Sequence, residues 1–217
     1  MYKTVVFDLD GTLLNTLTDL ADAGNRLCRK YGWPTHERQA YRYFVGNGIP
    51  KLVERLAPAD QRTPAVLEAA LADFKRDYGQ HLRDTTAPYP GIPEMLAKLK
   101  ANGVQLAVFS NKADALAKEV VKDYFGTQYF TIVRGQMTGV APKPAAEGTN
   151  ALLQALHADP ASTLYVGDSN VDVETAHNAN LPCCGAVWGF RTREELSAAG
   201  AEYLAENSDE LYDVIMK

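Results

Sequence analysis

Seven side chains able to do chemistry stand just beyond short apolar runs or between breakers. Asp8 and Asp10 flank Leu9 in FDLDGTL, Ser110-Asn111 follow AVF, Lys143 lies between Pro142 and Pro144, and Asp168 and Asp172 share GDSNVD. Taken singly, each has a plain structural account, because Asp, Asn and Ser cap helices and a Gly-Asp pair after a strand is often a turn. Taken together they do not. Four carboxylates brought to one place repel, and a like-charge pair at about 4 Å in a partly desolvated cleft costs on the order of 4 kcal/mol. A positive group must therefore sit among them. Oxygen donors without Cys or His point to a hard divalent ion, and Mg²⁺ typically takes one or two carboxylates together with water and substrate phosphate. Lys143 supplies a second cation. Ser110, with free amides at the start of a following helix, suits phosphate oxygens. The combined chemistry is phosphoryl transfer.

The elements that must position these groups follow from the apolar pattern. Lys3 to Phe7 reads as a strand buried on both faces. From Thr16 to about Arg83 the spacing becomes helical, broken at Gly32-Trp33-Pro34, at Gly46-Asn47-Gly48 and over Pro58 to Pro64. Pro88-Tyr89-Pro90-Gly91 ends that stretch. Strands and helices then alternate: a helix from about Ile92, a strand over 104–109, a helix from about Ala113, a short strand over 129–133, and a helix from about Ala145. The pattern continues with a strand over 164–166, a helix from about Val171, a strand over 183–187 and a last helix from about Asp209. Such alternation predicts an α/β fold with a doubly wound parallel sheet, interrupted after strand one by an all-helical insert. In sheets of this kind ligands bind at the carboxyl ends of the strands, where the polar residues above fall. Asp8 and Asp10, two apart on extended backbone, would point to opposite faces. They can serve one site only if the chain bends, and Gly11 permits the bend.

Composition sets the outer limits. At 217 residues, 46% hydrophobic, the chain can bury a real core, and a formal net charge of -5 with both signs interspersed provides no basic face. Nucleic acid is therefore excluded as an expected partner. No apolar stretch approaches the roughly 18 to 20 residues that span a bilayer, so no membrane association and a cytoplasmic location are expected. Cys28 and the adjacent Cys183-Cys184 form no CxxC, and none of His36, His81, His157 and His177 has a partner at ligand spacing. The cysteines are expected to be reduced and structural.

DxDGT at Asp8 to Thr12, Ser110-Asn111, Lys143 and GDSxxD at Asp168 to Asp172 resemble, in order, the four motifs of the haloacid dehalogenase-like hydrolases. The resemblance covers essentially the whole chain. It implies a Rossmann-like catalytic core of residues 1–15 and 86–217 and a small helical cap domain of residues 16–85. Val45-Gly46-Asn47-Gly48 in the cap and Trp188-Gly189-Phe190-Arg191 after the last core strand are similar to the phosphoglycolate phosphatase branch. Asn15-Thr16 departs from the Asp-Ser pair of many members, though either version can cap a helix. The resemblance further implies that Asp8 attacks phosphorus to give an aspartyl-phosphate and that Asp10 acts as acid and then base. The Asp8 carboxylate, the Asp10 backbone carbonyl and Asp168 would bind Mg²⁺. Asp172 would hold Lys143 and a metal-bound water, while Lys143, Ser110 and Asn111 would steady the phosphoryl oxygens. Gly46, Asn47 and Gly48 would meet a small anionic substrate from the cap.

The expected activity is hydrolysis of a small phosphomonoester, with 2-phosphoglycolate foremost, by a monomer or homodimer. Pyrophosphate, a nucleotide monophosphate, a sugar phosphate or a phosphomutase reaction would use the same core. A carbon-halogen hydrolase is disfavoured by Asp10, and a non-catalytic phosphate-binding module by the completeness of the motifs.

Overall fold

Thr4–Phe7 (β1) is buried at every residue, and Val5, Val6 and Phe7 are wholly inaccessible. Burial of such side chains stabilises the fold by about 1.5 to 3 kcal/mol each, which requires a strand covered on both faces. The computed structural model describes residues 1–217. After β1 come a short strand β2 (Leu14–Asn15), four helices, α1 (Leu17–Tyr31), α2 (Arg38–Phe44), α3 (Ile49–Leu56) and α4 (Pro64–His81), and a second short strand β3 (Ala87–Pro88). Helices and strands then alternate: α5 (Ile92–Ala101), β4 (Gln105–Ala113), α6 (Asp114–Phe125), β5 (Phe130–Gln136), α7 (Ala146–Leu156), β6 (Thr163–Gly167) and α8 (Asn170–Asn178). The chain finishes with β7 (Cys183–Ala186), α9 (Arg193–Ala198), β8 (Tyr203–Ala205) and α10 (Ser208–Met216).

Met1–Leu14 and Pro88–Lys217 form one compact unit, and Asn15–Ala87 another. The first is an α/β unit around a six-stranded sheet of order β5-β4-β1-β6-β7-β8, with every pair parallel. Thr4 lies opposite Gln105 on one side and Thr163 on the other. The chain winds outward from β1 through β4 to β5, then crosses back to β6 and winds the other way. The order therefore reverses at β1, and the carboxyl ends of β4, β1 and β6 open a crevice at that switch point. Val6, Ala107, Phe109 and Tyr165 of the sheet pack with Leu152 and Leu153 of α7 and Val173 of α8. All three cysteines are free and buried; burial pushes the Cys184 thiol up to about 12 and Cys183 well above its ordinary value. They therefore carry little thiolate and pack as small apolar groups.

Besides the short strands β2 and β3, the elements differ from the sequence expectation in three places. Strand β4 runs on to Ala113, because pairing with β5 lapses after Phe109 and resumes where Ala113 meets Gln136. Ser110, Asn111 and Lys112 thus lie in an irregular strand end and not in a loop. Strand β5 is longer than expected and ends at Gln136. The α9–β8 pair was not anticipated: β8 is three residues long, exposed at Tyr203, and has no apolar run to signal it.

The second unit is helical. Its breaks fall where glycine and proline predict them: α1 ends at Tyr31 before Gly32, α2 at Phe44 before Gly46-Asn47-Gly48, and α3 at Leu56 before Pro58. Thr63 caps α4 through its hydroxyl, which accepts from Val66 N–H at 3.4 Å, with Pro64 at the first helical position. Leu20, Leu27, Tyr41, Leu52, Val53, Phe74 and Tyr78 fill its interior. Asp19, only 2% exposed, ties α1 to the end of the unit. One of its oxygens accepts from Thr85 N–H (2.9 Å) and hydroxyl (2.5 Å), the other from Thr86 N–H (2.9 Å) and hydroxyl (2.7 Å). No helix of the chain is long and apolar enough to cross a membrane.

Candidate active site

The ladder that holds β1 continues one residue further, with Asp8 N–H donating to Val166 carbonyl at 2.8 Å. This fixes the Asp8 backbone at the centre of the crevice. The chain then folds back sharply. Leu9 carbonyl accepts from the N–H groups of Leu13 and Leu14, both at 3.0 Å, and Gly11 N–H donates to Leu14 carbonyl at 2.8 Å. Gly11 has φ +88, and a Cβ there would stand 2.2 Å from Asp168 Oδ2. Glycine is thus required twice over, for the backbone turn and for the approach of Asp168. Gly189 closes the other side, where a Cβ would lie 2.2 Å from Asp168 Cβ and 2.6 Å from Gly11 carbonyl.

Asp8, Asp168 and Asp172 converge, with one carboxylate oxygen from each lying within 4.8 Å of the others. All three are buried. Asp168 accepts from Phe190 N–H at 2.7 Å and from Thr12 hydroxyl at 3.2 Å. Asp172 accepts from Lys143 Nζ at 2.7 Å on one oxygen and from Ser169 N–H and hydroxyl, at 3.1 and 2.7 Å, on the other. Both Asp172 oxygens are thus engaged in holding Lys143 and the start of α8. Asp8 is different. Lys143 Nζ approaches its Oδ1 to 2.9 Å, but no donor is aligned with that oxygen for a hydrogen bond.

Lys143 is itself 3% exposed. Besides the two aspartates its ammonium meets Tyr165 hydroxyl at 3.1 Å and Phe109 carbonyl at 3.3 Å. Asn111 grips the backbone of the same lysine, accepting from Lys143 N–H at 2.8 Å and donating to Lys143 carbonyl at 3.2 Å. The Asn111 side chain, expected among phosphate contacts, is therefore a clamp for Lys143. Ser110 Oγ accepts from Lys112 N–H at 3.2 Å, which leaves its own O–H to donate. Lys112 Nζ lies 3.0 and 3.4 Å from the two oxygens of Asp10, an ammonium almost wholly enclosed beside a carboxylate that is 19% exposed. Gly46, Asn47 and Gly48 belong to the helical unit, between α2 and α3; Asn47 Oδ1 accepts from Arg55 at 2.8 Å, and Arg55 also donates to Phe44 carbonyl at 2.7 Å.

The electrostatics follow from burial. Burial pushes the Asp8 carboxyl up to about 7, against the pull of Lys143 and with the help of Asp172 and Asp10. Asp168 is raised well above the usual carboxylate range, by burial first and then by Asp172 and Asp8. Burial alone would lower Lys143, but Asp172 and Asp8 hold its ammonium well above the ordinary value. Within the cluster two lysines face four aspartates. With all four ionised the cluster carries a net charge of -2, and one oxygen of Asp8 has no aligned donor. A hard divalent cation fits that donor set, since it takes oxygen ligands and favours the ionised carboxylates that burial disfavours.

Lys112, Tyr165, Thr12, Gly189 and the Phe190 amide adjoin the cluster without an expected role in it. Lys112, next to Ser110-Asn111, Thr12, in DxDGT, and Gly189 and Phe190, in the stretch after the last core strand, carried a signal by their place, and Tyr165 carried none.

The family model for haloacid dehalogenase-like hydrolases matches residues 5–186. The chain is 31% identical over 216 residues to the phosphoglycolate phosphatase of Chromobacterium violaceum, covering 98% of this chain and 96% of that protein. To the phosphoglycolate phosphatase of Vibrio parahaemolyticus it is 29% identical over 218 residues, with 98% and 96% covered. Among solved structures, a candidate phosphoglycolate phosphatase from Lactobacillus delbrueckii subsp. bulgaricus superposes with a TM-score of 0.93 at 28% identity, covering 99% of this chain and 98% of the other.

Proposed function

The chain belongs to the haloacid dehalogenase-like hydrolase family, and from that premise we propose that it is a Mg²⁺-dependent phosphatase of small phosphomonoesters. We assign 2-phosphoglycolate as its preferred substrate, in line with the relatives of that name. The observation that carries the reading is Asp8: a buried carboxylate at the sheet's switch point, with one oxygen that has no aligned donor and an ammonium 2.9 Å away. A carboxylate held by several donors is a poor nucleophile, whereas this one keeps a lone pair for phosphorus.

The Asp8 oxygen bonds to phosphorus as the bond from phosphorus to the ester oxygen breaks. Asp10 passes a proton to the departing oxygen. It then takes a proton from the water that cleaves the aspartyl-phosphate, returning Asp8 as a free carboxylate and releasing inorganic phosphate. Lys143, locked by Asp172, Tyr165 and the Asn111 clamp, places positive charge beside Asp8 and the phosphoryl oxygens without reorganising during the step. Ser110 donates its hydroxyl to the same oxygens. The Asp8 carboxylate, the Asp10 carbonyl and Asp168 would hold Mg²⁺, whose charge when bound offsets that of the transferring phosphoryl group.

A phosphate-release screen over a panel of phosphometabolites, ranked by kcat/KM, tests the reading. The expected order places 2-phosphoglycolate above sugar phosphates, nucleotide monophosphates and pyrophosphate. Absence of release from every member in Mg²⁺ would overturn the phosphatase assignment. A sugar phosphate at the head would keep the chemistry and replace the substrate.

A further inference from the structure

Tyr165 is wholly buried in β6, a strand paired with β1 on one side and β7 on the other. Its hydroxyl donates to Phe109 carbonyl at 3.4 Å, which turns a lone pair toward Lys143 Nζ at 3.1 Å. Burial holds that hydroxyl well above the ordinary tyrosine range despite the pull of Lys143, so it is a neutral acceptor. An ammonium carries three N–H donors. Those of Lys143 are taken up by Asp172 Oδ1 at 2.7 Å, Tyr165 hydroxyl at 3.1 Å and Phe109 carbonyl at 3.3 Å. Asp8 Oδ1 lies nearer than two of these, at 2.9 Å, yet it receives the charge and no aligned donor.

We propose that Tyr165 is a positioning residue for the reaction: by engaging one N–H of Lys143, its hydroxyl fixes the rotation of the ammonium so that Asp8 keeps a lone pair for phosphorus. The inference rests on the phosphatase reading of the site, with Asp8 as the nucleophile. A charge-assisted hydrogen bond stabilises a carboxylate and makes it a weaker nucleophile. Without the Tyr165 hydroxyl, one N–H of a buried ammonium loses its acceptor, which is costly, and the donor turns to the nearest acceptor left. Asp8 Oδ1 is that acceptor. The attack then slows, because the electron pair that must form the bond to phosphorus as the ester oxygen departs is held in a hydrogen bond. Phosphate binding is spared, because the positive charge of Lys143 stays where it is. A neutral hydroxyl suits this part, since another carboxylate in its place would offset the charge that the phosphoryl oxygens meet.

The test is Tyr165→Phe, which removes the hydroxyl and keeps the ring that packs in the core. Thermal unfolding checks that the variant is folded, and Tyr165→Met, which also lacks the hydroxyl, takes its place if it is not. Two quantities are compared with the wild type in Mg²⁺: the rate at which saturating enzyme consumes the best phosphomonoester in a single turnover, which reports attack by Asp8, and the dissociation constant of inorganic phosphate from titration calorimetry. The single-turnover rate is expected to fall by about tenfold or more, the worth of one hydrogen bond to a charged group, while phosphate affinity changes by less than about twofold. A fall in both would make Tyr165 a packing support that keeps Lys143 in place and would overturn the proposal. An unchanged single-turnover rate, whatever the phosphate affinity, would overturn it too and leave the phosphatase reading intact. A wild type that consumes no phosphomonoester would remove the reading and the proposal together.

Discussion

Two buried aspartates, one in each unit, show how the same side chain serves structure and chemistry. Asp19, in the helical unit, accepts four hydrogen bonds, two on each oxygen, all from neutral N–H and O–H donors of Thr85 and Thr86. Asp8, in the α/β unit, has an ammonium beside one oxygen and no donor aligned with it. The first carboxylate has its charge spread over a complete set of partners, so it fixes a chain crossing. The second is kept short of partners, and burial drives its carboxyl up to about 7. Under-satisfied buried charge is costly, and a protein that retains it holds the group ready for an ion or a reacting atom.

The largest expected effect tests the chemical half of that contrast. Asp8→Asn is nearly isosteric but cannot form the phosphoryl bond, and turnover is expected to fall at least a hundredfold, about 3 kcal/mol or more of barrier, while far-UV circular dichroism stays unchanged. Residual activity above about a hundredth of wild type would assign the nucleophile elsewhere. Removing divalent ions should silence the enzyme to the same degree, with Mg²⁺ restoring phosphate release and Ca²⁺ failing to do so because its larger, irregular shell misplaces the attacking oxygen. Full activity in excess chelator would contradict the account of the donor cluster.

The structural half is tested on Asp19. Asp19→Ala leaves two backbone N–H groups and two hydroxyls around an empty site, and a loss of about 2 to 4 kcal/mol of stability is expected from urea unfolding. A loss under about 0.5 kcal/mol would show that water replaces the carboxylate freely, and the distinction between the two aspartates would weaken.

The legibility of these features in the sequence was uneven, for physical reasons. Asp8, Asp10, Lys143, Asp168 and Asp172 stood out because a parallel sheet brings its strand ends to one edge, so polar residues after apolar runs share a place. The six-stranded sheet was mostly visible for the same reason, apart from β8, whose three residues carry no periodicity. Lys112 stood with Ser110 and Asn111 after the strand, but its pairing with Asp10 was hidden because β4 continues past Phe109 through an irregular register, and that irregularity depends on β5. Tyr165 sits within an apolar strand, where a tyrosine reads as core; its hydroxyl finds Lys143 only through tertiary packing. Asn111 was read toward phosphate, yet its amide pairs with the backbone of residue 143, and no local pattern reveals which partner will arrive. The donors to Asp168 include the Phe190 N–H, a backbone group that every residue except proline carries.

The smallest effect is the pH dependence that Asp8 imposes on stability. The Asp8 carboxyl, raised from 3.8 to about 7, binds its proton more tightly in the folded protein than in the unfolded chain. Between about pH 4 and pH 7 the folded state therefore holds more protons, and stability declines as pH rises through that window, levelling off above it. A shift of this size corresponds to at most about 4 kcal/mol at roughly 1.4 kcal/mol per unit. In chelator, the midpoint of thermal unfolding should rise as pH is lowered from 7.5 toward 5, by a few degrees for a chain of this length. Mg²⁺ favours the ionised carboxylates and should flatten the slope, and Asp8→Asn, which cannot ionise, should reduce it without metal to the part that Asp168 contributes. If the metal-free wild type and Asp8→Asn lose stability in parallel between pH 5 and 7.5, Asp8 is ionised throughout, and its missing hydrogen-bond partner has no energetic consequence.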